Sequence, residues 1–140
     1  MGIKLRFLAA LAATGMVGAG AAIAAPAALD ALGLGRWQLH EIGTGDAPRS
    51  VCVRDAMQLI QLYHPGIQCT RFTIDDAADH ITIHYTCQGR GYGRTTIKVE
   101  SGDLIKLDTQ GIDPDGQPFD KTYEGRRTGA CTPSAPPPRR

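Results

Sequence analysis

Apolar and polar residues alternate along the middle of the chain, most regularly between residues 80 and 109. This period of two is typical of strands that bury one face and expose the other. The inward positions that it predicts are Ile81, Ile83, Tyr85, Thr95, Ile97, Val99, Ile105, Leu107 and Thr109. Similar but shorter patterns extend the prediction to six strands, at residues 36–42, 70–75, 80–86, 94–100, 105–109 and 119–127.

The segments between these strands are rich in turn-forming residues. Short connections at 75–79, 101–103 and 113–116 contain Asp, Gly and Pro, which favour tight reversals. Because every connection after Cys69 is short, consecutive strands should pair as an antiparallel meander.

One segment has helical rather than strand periodicity. Four apolar residues occur at spacings of three and four: Ala56, Leu59, Ile60 and Tyr63. Asp55 suits the start of the helix, and Pro65 followed by Gly66 ends it. The predicted fold is mainly β, a curved antiparallel meander sheet or half-barrel of about six strands with one short α-helix and two disulfides. Its predicted core includes Trp37, Ile83, Tyr85, Ile97, Val99 and Leu107.

The N-terminus has the pattern of a cleavable export signal. Lys4 and Arg6 precede an apolar run over residues 7–23, and Ala22-Ile23-Ala24 provides the small residues that a signal peptidase reads. The run is short and is followed by Pro26, which disfavours a membrane anchor. We expect a bacterial Sec-type signal peptide at 1–24, and a periplasmic or secreted protein with no membrane anchor after cleavage.

The remaining chain divides by composition. Residues 25–34 are Ala-rich and predict a flexible leader, residues 35–131 a disulfide-stapled β domain, and the Pro-rich residues 132–140 a disordered tail. Loss of Lys4 and Arg6 with the signal changes the formal net charge from +1 to −1. Charges of both signs are interspersed, so no basic surface predicts nucleic acid or a membrane as partner.

The four cysteines all lie outside the signal, and an oxidising compartment favours disulfides among them. Four cysteines allow three pairings. If Asp75 lies opposite His80, Cys69 lies opposite Thr86, one residue from Cys87. A bulge or a loose strand end near Cys69 would bring these two cysteines together, so we predict Cys69–Cys87 and, by elimination, Cys52–Cys131. The spacing lacks the close Cys-x-x-Cys pairs of zinc knuckles.

Several segments together resemble a known family. These are Gly35-Arg36-Trp37-Gln38, Cys52 before a short helix, Cys69, Tyr85-Thr86-Cys87-Gln88-Gly89, and Tyr123-Glu124-Gly125-Arg126-Arg127-Thr128-Gly129-Ala130-Cys131. From about Gly33 to Cys131 the chain resembles the secreted proteobacterial family called domain of unknown function 3617. It departs from that family at Gln38, where Glu is usual, and at Val53-Arg54, where a Thr-Pro-type helix start is usual. The resemblance implies the fold and the cysteine framework. Because that family has no assigned activity, the resemblance implies no mechanism.

The residues with reactive side chains predict structural roles. His80 and His84 have a metal-ligand spacing for a helix, but on a strand they are separated by about 13 Å. Ser50, Ser101 and Ser134 lack the context of a nucleophile, and all four thiols have expected partners. His40 and His64 are isolated, the latter in the loop after the helix.

Two short motifs imitate ligand-binding loops. Asp113, Asp115 and Gly116 match part of a calcium loop, whose twelfth position is Thr122 where Glu is needed. Gly89-Arg90-Gly91-Tyr92-Gly93 suggests a phosphate loop, but a strand and not a helix follows it, so a tight turn or bulge is the prediction.

These observations predict a non-catalytic module with no cofactor and no metal site, which binds an envelope protein or a small apolar ligand. The alternative is a periplasmic inhibitor of a lytic enzyme, because Tyr85-Thr86-Cys87 in a small disulfide-bonded β domain resembles lysozyme-inhibitor domains. Whether the curved sheet encloses an apolar pocket or only a packed core is left open by the sequence.

Overall fold

A computed structural model describes residues 27–132, so the predicted signal peptide and nearly all of the Pro-rich tail lie outside the described residues. Two one-turn helices and seven strands occur in this range. They are α1 (Ala27–Asp30), β1 (Gly35–Glu41), β2 (Arg49–Val53), α2 (Met57–Ile60), β3 (Thr70–Asp76), β4 (His80–Thr86), β5 (Tyr92–Ser101), β6 (Leu104–Ile112) and β7 (Pro118–Gly129).

The strands form one open, curled antiparallel sheet in the order β2-β1-β7-β6-β5-β4-β3. Strands β3 to β7 follow one another as the predicted meander, because each connection between them is short. Strand β1 pairs with β7 over residues 36–41 and 123–129, which brings the start of the domain beside its end. The mainly β, antiparallel fold is therefore confirmed.

The count of about six strands was one too low, because β2 was not predicted. Val51 and Val53 in β2 do alternate with Ser50 and Cys52, but the strand has only five residues and follows a loop of polar and small residues. It lies at an edge of the sheet, where only Val53 is fully buried. A short edge strand with so little burial gives a weak pattern in the sequence.

The inward faces of the strands form a packed core with α2. Five of the six residues predicted for this core are buried, namely Trp37, Ile83, Tyr85, Ile97 and Leu107, and Val99 is partly buried against them. Leu59 and Ile60 of α2 are fully buried and cover the sheet. The Trp37 indole also donates a hydrogen bond of 2.9 Å to the Gly33 carbonyl, so its polar atom is satisfied in the core.

The segment before β1 differs from the predicted flexible leader. Residues 27–30 form α1, and Ala28, Leu29 and Leu32 are buried against the core. The Gly33 amide donates to the Gly102 carbonyl at 3.0 Å, which attaches the segment to the turn between β5 and β6. The spacing of Ala28, Leu29 and Leu32 fits one helical turn, but it is obscured in the sequence by surrounding alanines.

Both predicted disulfides are present, Cys52–Cys131 and Cys69–Cys87, and the described chain has no free cysteine. The predicted register of the β3–β4 hairpin was wrong by one residue, because Thr70 lies opposite Thr86 and not opposite Tyr85. Nearer the turn the error is two residues, because Asp75 lies opposite Thr82 and not His80, and an irregularity between Thr73 and Asp75 reduces it to one. The bulge that the pairing required therefore lies in the middle of β3 and not beside Cys69.

Candidate functional site: a cleft at the seam of the sheet

The sheet does not close, and the chain between its two edge strands, β2 and β3, fills the gap. A cleft of about 270 Å³ opens there. We call it the seam cleft; its lining residues are Arg49, Val51, Asp55, Met57, Gln58, Gln61, Leu62, His64, Pro65, Gly66, Ile67 and Arg71. The open mouth of a curled sheet is a common place for a ligand site, because a concave surface there combines apolar walls with a few polar groups.

The side chain of Gln61 organises one wall of the seam cleft. Only 6% of Gln61 is exposed, and its amide nitrogen donates to the Ile67 carbonyl at 3.1 Å. Its amide oxygen accepts a hydrogen bond of 2.7 Å from Nε of Arg71. A buried amide with partners on both sides is fixed in position. Gln61 therefore fixes the Arg71 guanidinium at the cleft.

On the opposite wall of the seam cleft, the polar side chains form hydrogen bonds with backbone amides at the start of α2. The Asp55 carboxylate accepts a hydrogen bond of 2.9 Å from the Met57 amide. The Gln58 side chain accepts from the amides of Arg54 and Asp55, at 2.7 and 3.1 Å. The Met57 amide is one of the groups that a helix start leaves without a partner. Ala56 is the N-cap, so Asp55 lies one residue before the cap and not in the predicted first turn or cap, although its side chain still bonds to the first residue of the helix.

Two guanidinium groups give the seam cleft its charge. Arg49 of β2 and Arg71 of β3 both line it, and within residues 27–132 neither forms an ion pair with a carboxylate. The single carboxylate in the lining is Asp55. The cleft thus has a surplus of positive charge beside an apolar wall that includes Val51, Met57 and Ile67.

A buried histidine lies behind the cleft. His64 is fully buried, and its Nδ1 lies 3.1 Å from the Tyr85 hydroxyl. Burial raises the pKa of Tyr85 to about 12, so this hydroxyl stays protonated at neutral pH. No partner for Nε2 of His64 occurs among the residues that the structure describes. His64 was correctly predicted to follow the helix, but its burial and its contact with Tyr85 were not predicted.

Two glycines make room for the His64–Tyr85 pair. A side chain at Gly91 would meet His64 Nε2 and the Ile112 carbonyl, and one at Gly93 would meet the Tyr85 ring. Gly91 also has a positive φ of 89° and closes the turn in which the Cys87 amide donates to its carbonyl. The glycine-rich segment is therefore the predicted tight turn.

A second pair of aromatic hydroxyls lies nearby. Tyr63 and Tyr123 share a hydrogen bond of 2.8 Å, and the Tyr63 ring stacks on Phe119 with centroids 4.1 Å apart. Burial, and then the hydrogen bond shared with Tyr63, raise the pKa of Tyr123 well above its usual value. These contacts join the segment after α2 to β7.

The histidines of β4 point away from the seam cleft. Asp79 Oδ1 and Asp75 Oδ2 each lie 2.8 Å from a ring nitrogen of His80. Hydrogen bonds to Asp79 and then Asp75 raise the pKa of His80, and the same contact lowers the pKa of Asp79. His84 instead lies near Tyr92, with ring centroids 6.0 Å apart. Over residues 27–132 no group of three or more metal-ligating side chains is brought together.

The remaining candidates occupy turns and edges. Asp113 Oδ1 accepts from the amides of Asp115 and Gln117, at 2.9 and 2.8 Å, which uses this carboxylate to stabilise the turn. Ser101 accepts from the Asp103 amide at 3.3 Å, and Ser50 lies exposed on β2. Ser134 lies beyond the described residues.

Neither helix in the described range is long and apolar enough to cross a membrane.

The outer face of β3, β4 and β5 carries a separate patch of exposed rings. Phe72 lies opposite His84 in the ladder, and Tyr92 lies on the neighbouring strand. Phe72 and Tyr92 are 69% and 47% exposed. We call Phe72, His84 and Tyr92 the outer aromatic patch.

The inward residues Ile81, Ile83, Tyr85, Ile97, Ile105 and Leu107 pack with α2 and its flanks in one buried cluster. The sequence left open whether the curved sheet encloses an apolar pocket or only a packed core. These residues form a packed core. The seam cleft was not predicted, since its walls come from residues 49–51, 55–67 and 71, and no local pattern connects them.

Comparisons of this chain with protein-family models, with curated proteins and with solved structures found no match.

Proposed function

We propose that the chain is an exported, non-catalytic binding module that takes up a small, partly apolar component of the cell envelope in the seam cleft. The observation that carries this proposal is the cleft itself. Its walls combine the apolar side chains of Val51, Met57 and Ile67 with an arginine held by a buried amide. The same proposal includes membership of the secreted family that the chain resembles, and a periplasmic or secreted location.

Export is supported by the cysteines. All four are paired, and the two disulfides attach segments that are far apart in the sequence, with separations of 79 and 18 residues. Stable disulfides of this kind are typical of oxidising compartments. They agree with the basic and apolar pattern of residues 1–24.

A binding role rather than catalysis is supported by the observation that the side chains with reactive groups already have structural partners. His64 is buried against Tyr85, Asp55 accepts from a backbone amide, and the thiols are consumed in disulfides. A nucleophile with an adjacent base is the arrangement that acyl transfer needs. The seam cleft has no serine, threonine or free cysteine in its lining.

The test is binding of an uncharged fluorescent probe, N-phenyl-1-naphthylamine, to the oxidised mature protein. We expect saturable binding that Met57→Trp reduces at least about tenfold, because the larger ring fills the cleft. Lys98→Trp, on the outer face of β5, is the matched control and should bind as the parent protein does. Equal binding by all three proteins, or no saturable binding, would contradict the proposal.

A second candidate function is inhibition of a lytic enzyme, and the loop between β1 and β2 favours it. Residues 42–48 are all exposed, and Ile42 is 52% exposed at the start of this loop. An exposed loop that begins with an apolar residue could enter the active site of another protein. A cell-wall lysis assay with purified lysozyme tests this role, and inhibition that is lost in Ile42→Asp would support it.

A further inference from the structure

We infer that the seam cleft selects a ligand whose small apolar group ends in a carboxylate. This inference rests on the proposed binding function, and it adds the chemical class of the ligand. It follows from which polar atoms of the cleft already have partners and which do not.

Arg71 is prepared for a carboxylate. Its Nε is engaged by Gln61 at 2.7 Å, whereas Nη1 and Nη2 have no hydrogen bond to any described residue. The terminal nitrogens of a guanidinium present two parallel N–H groups, which match the two oxygens of a carboxylate. Because Gln61 is buried and bonded to the Ile67 carbonyl, the orientation of Arg71 is set before a ligand arrives.

Arg49 adds a second positive charge from the other edge strand. Both guanidinium groups line one small cleft, so an anion bound there would be attracted by two positive charges. Asp55 is the one acidic side chain in the lining, and its Oδ1 already accepts from the Met57 amide. A cationic ligand would be repelled by both arginines.

The apolar wall limits the rest of the ligand. Val51, Met57, Leu62 and Ile67 line the cleft, and a methionine adapts its shape to different occupants. The volume of about 270 Å³ is at or below the lower end of pockets that enclose a whole drug-sized molecule, about 300–1,000 Å³. The cleft therefore holds a short acyl group, or the carboxylate-bearing end of a larger molecule.

The test is isothermal titration calorimetry of the oxidised mature protein with three ligands of equal chain length: hexanoate, hexan-1-ol and hexylamine. We expect hexanoate to bind about three- to tenfold more tightly than hexan-1-ol, since the arginines are partly open to solvent. Hexylamine should bind most weakly, and added NaCl should reduce the preference for hexanoate. Equal affinity for hexanoate and hexan-1-ol would overturn the inference and leave the binding function intact. Failure of all three to bind would count against both.

Two variants assign the preference to its residues. Arg71→Gln and Arg49→Gln should each reduce the ratio of the affinity for hexanoate to the affinity for hexan-1-ol. Arg94→Gln removes an exposed arginine from the outer face of β5 and is the matched control. Thermal unfolding of each variant verifies that it is folded. A full preference for hexanoate in the double variant Arg49→Gln/Arg71→Gln would overturn the assignment.

Discussion

The central strands of the sheet and its two edge strands are stabilised by different means. Strands β1, β7, β6, β5 and β4 each have a hydrogen-bonded neighbour on both sides and bury one face in the core. In β3, by contrast, every residue is exposed, and in β2 only Val53 is buried. Each edge strand is also attached by a disulfide, β2 through Cys52 and β3 through Cys69, the residue before it.

The two disulfides thus attach the strands whose own residues are least buried, although Cys87 itself is part of the core. A disulfide stabilises chiefly by restricting the unfolded chain, so it needs no hydrophobic partner in the folded state. This arrangement lets β2 and β3 remain partly open to solvent, with the seam cleft between them. Under the proposed function, the central strands provide stability and the tethered edges provide the binding surface.

The largest expected effect is loss of the disulfide that attaches β2. The chain-entropy argument assigns about 4.5 kcal/mol to Cys52–Cys131, with its separation of 79 residues, and about 3 kcal/mol to Cys69–Cys87, with its separation of 18. Urea unfolding of Cys52→Ser/Cys131→Ser and of Cys69→Ser/Cys87→Ser measures both losses. Losses below about 1 kcal/mol for either pair would show that the edge strands do not depend on their tethers.

Removal of an aromatic ring should lower the free energy of unfolding strongly in a central strand and hardly at all in an edge strand. Trp37 is fully buried in β1, so Trp37→Ala should lower the free energy of unfolding by about 3–5 kcal/mol. Phe72 is 69% exposed in β3, so Phe72→Ala should change that free energy by less than about 0.5 kcal/mol. Chemical unfolding measures both changes. A large loss for Phe72→Ala would contradict the distinction between the two regions.

A smaller effect is expected from one buried hydroxyl. Tyr85→Phe leaves Nδ1 of His64 without its partner at 3.1 Å in a fully buried position, which should lower the free energy of unfolding by about 1–3 kcal/mol. Tyr92→Phe, on the exposed side of the sheet, is the control and should be nearly neutral. If both variants changed the free energy of unfolding by the same amount, the His64–Tyr85 contact would contribute nothing to stability, which would contradict this prediction.

The smallest expected effect depends on pH and concerns the β3–β4 hairpin. Asp79 and Asp75 raise the pKa of His80, so protonated His80 stabilises the folded state. This contribution is complete at pH values below the unfolded pKa of about 6.5 and is lost as the pH rises through the folded pKa. The difference in stability between the parent protein and His80→Gln should therefore decrease from pH 5.5 to pH 8.5. NMR titration of the His80 ring should show a raised pKa, and an unshifted value would contradict this account.

The sequence predicted the central strands and the bounds of β3, but it missed β2 and the register of β3. Ile83, Tyr85, Ile97 and Leu107 alternate with polar residues because one face of each strand is buried, and burial is what produces a readable period. The bulge at residues 73–75 of β3 could not be located, since an exposed edge strand imposes no such constraint. The disulfide pairing was predictable because a hairpin brings its ends together whatever the exact register.

The candidate site was beyond prediction from local patterns. Arg49, Gln61 and Arg71 lie on different elements, and their proximity depends on how the chain between β2 and β3 folds over the gap. Tyr85 did carry a signal, because an inward-facing tyrosine needs a partner for its hydroxyl. That partner, His64, precedes Pro65 in a loop and shows no periodicity that would indicate its burial.

The most direct test of the account is an NMR titration of the ¹⁵N-labelled, oxidised mature protein with hexanoate. If the tethered edges form the binding surface, saturable shift changes should concentrate on the amides of Val51, Met57, Ile67 and Arg71. The amides of the central strands β6 and β7 should remain unchanged. Changes centred on the outer aromatic patch of Phe72, His84 and Tyr92, or no saturable changes at all, would contradict the claim that the seam cleft is the functional site.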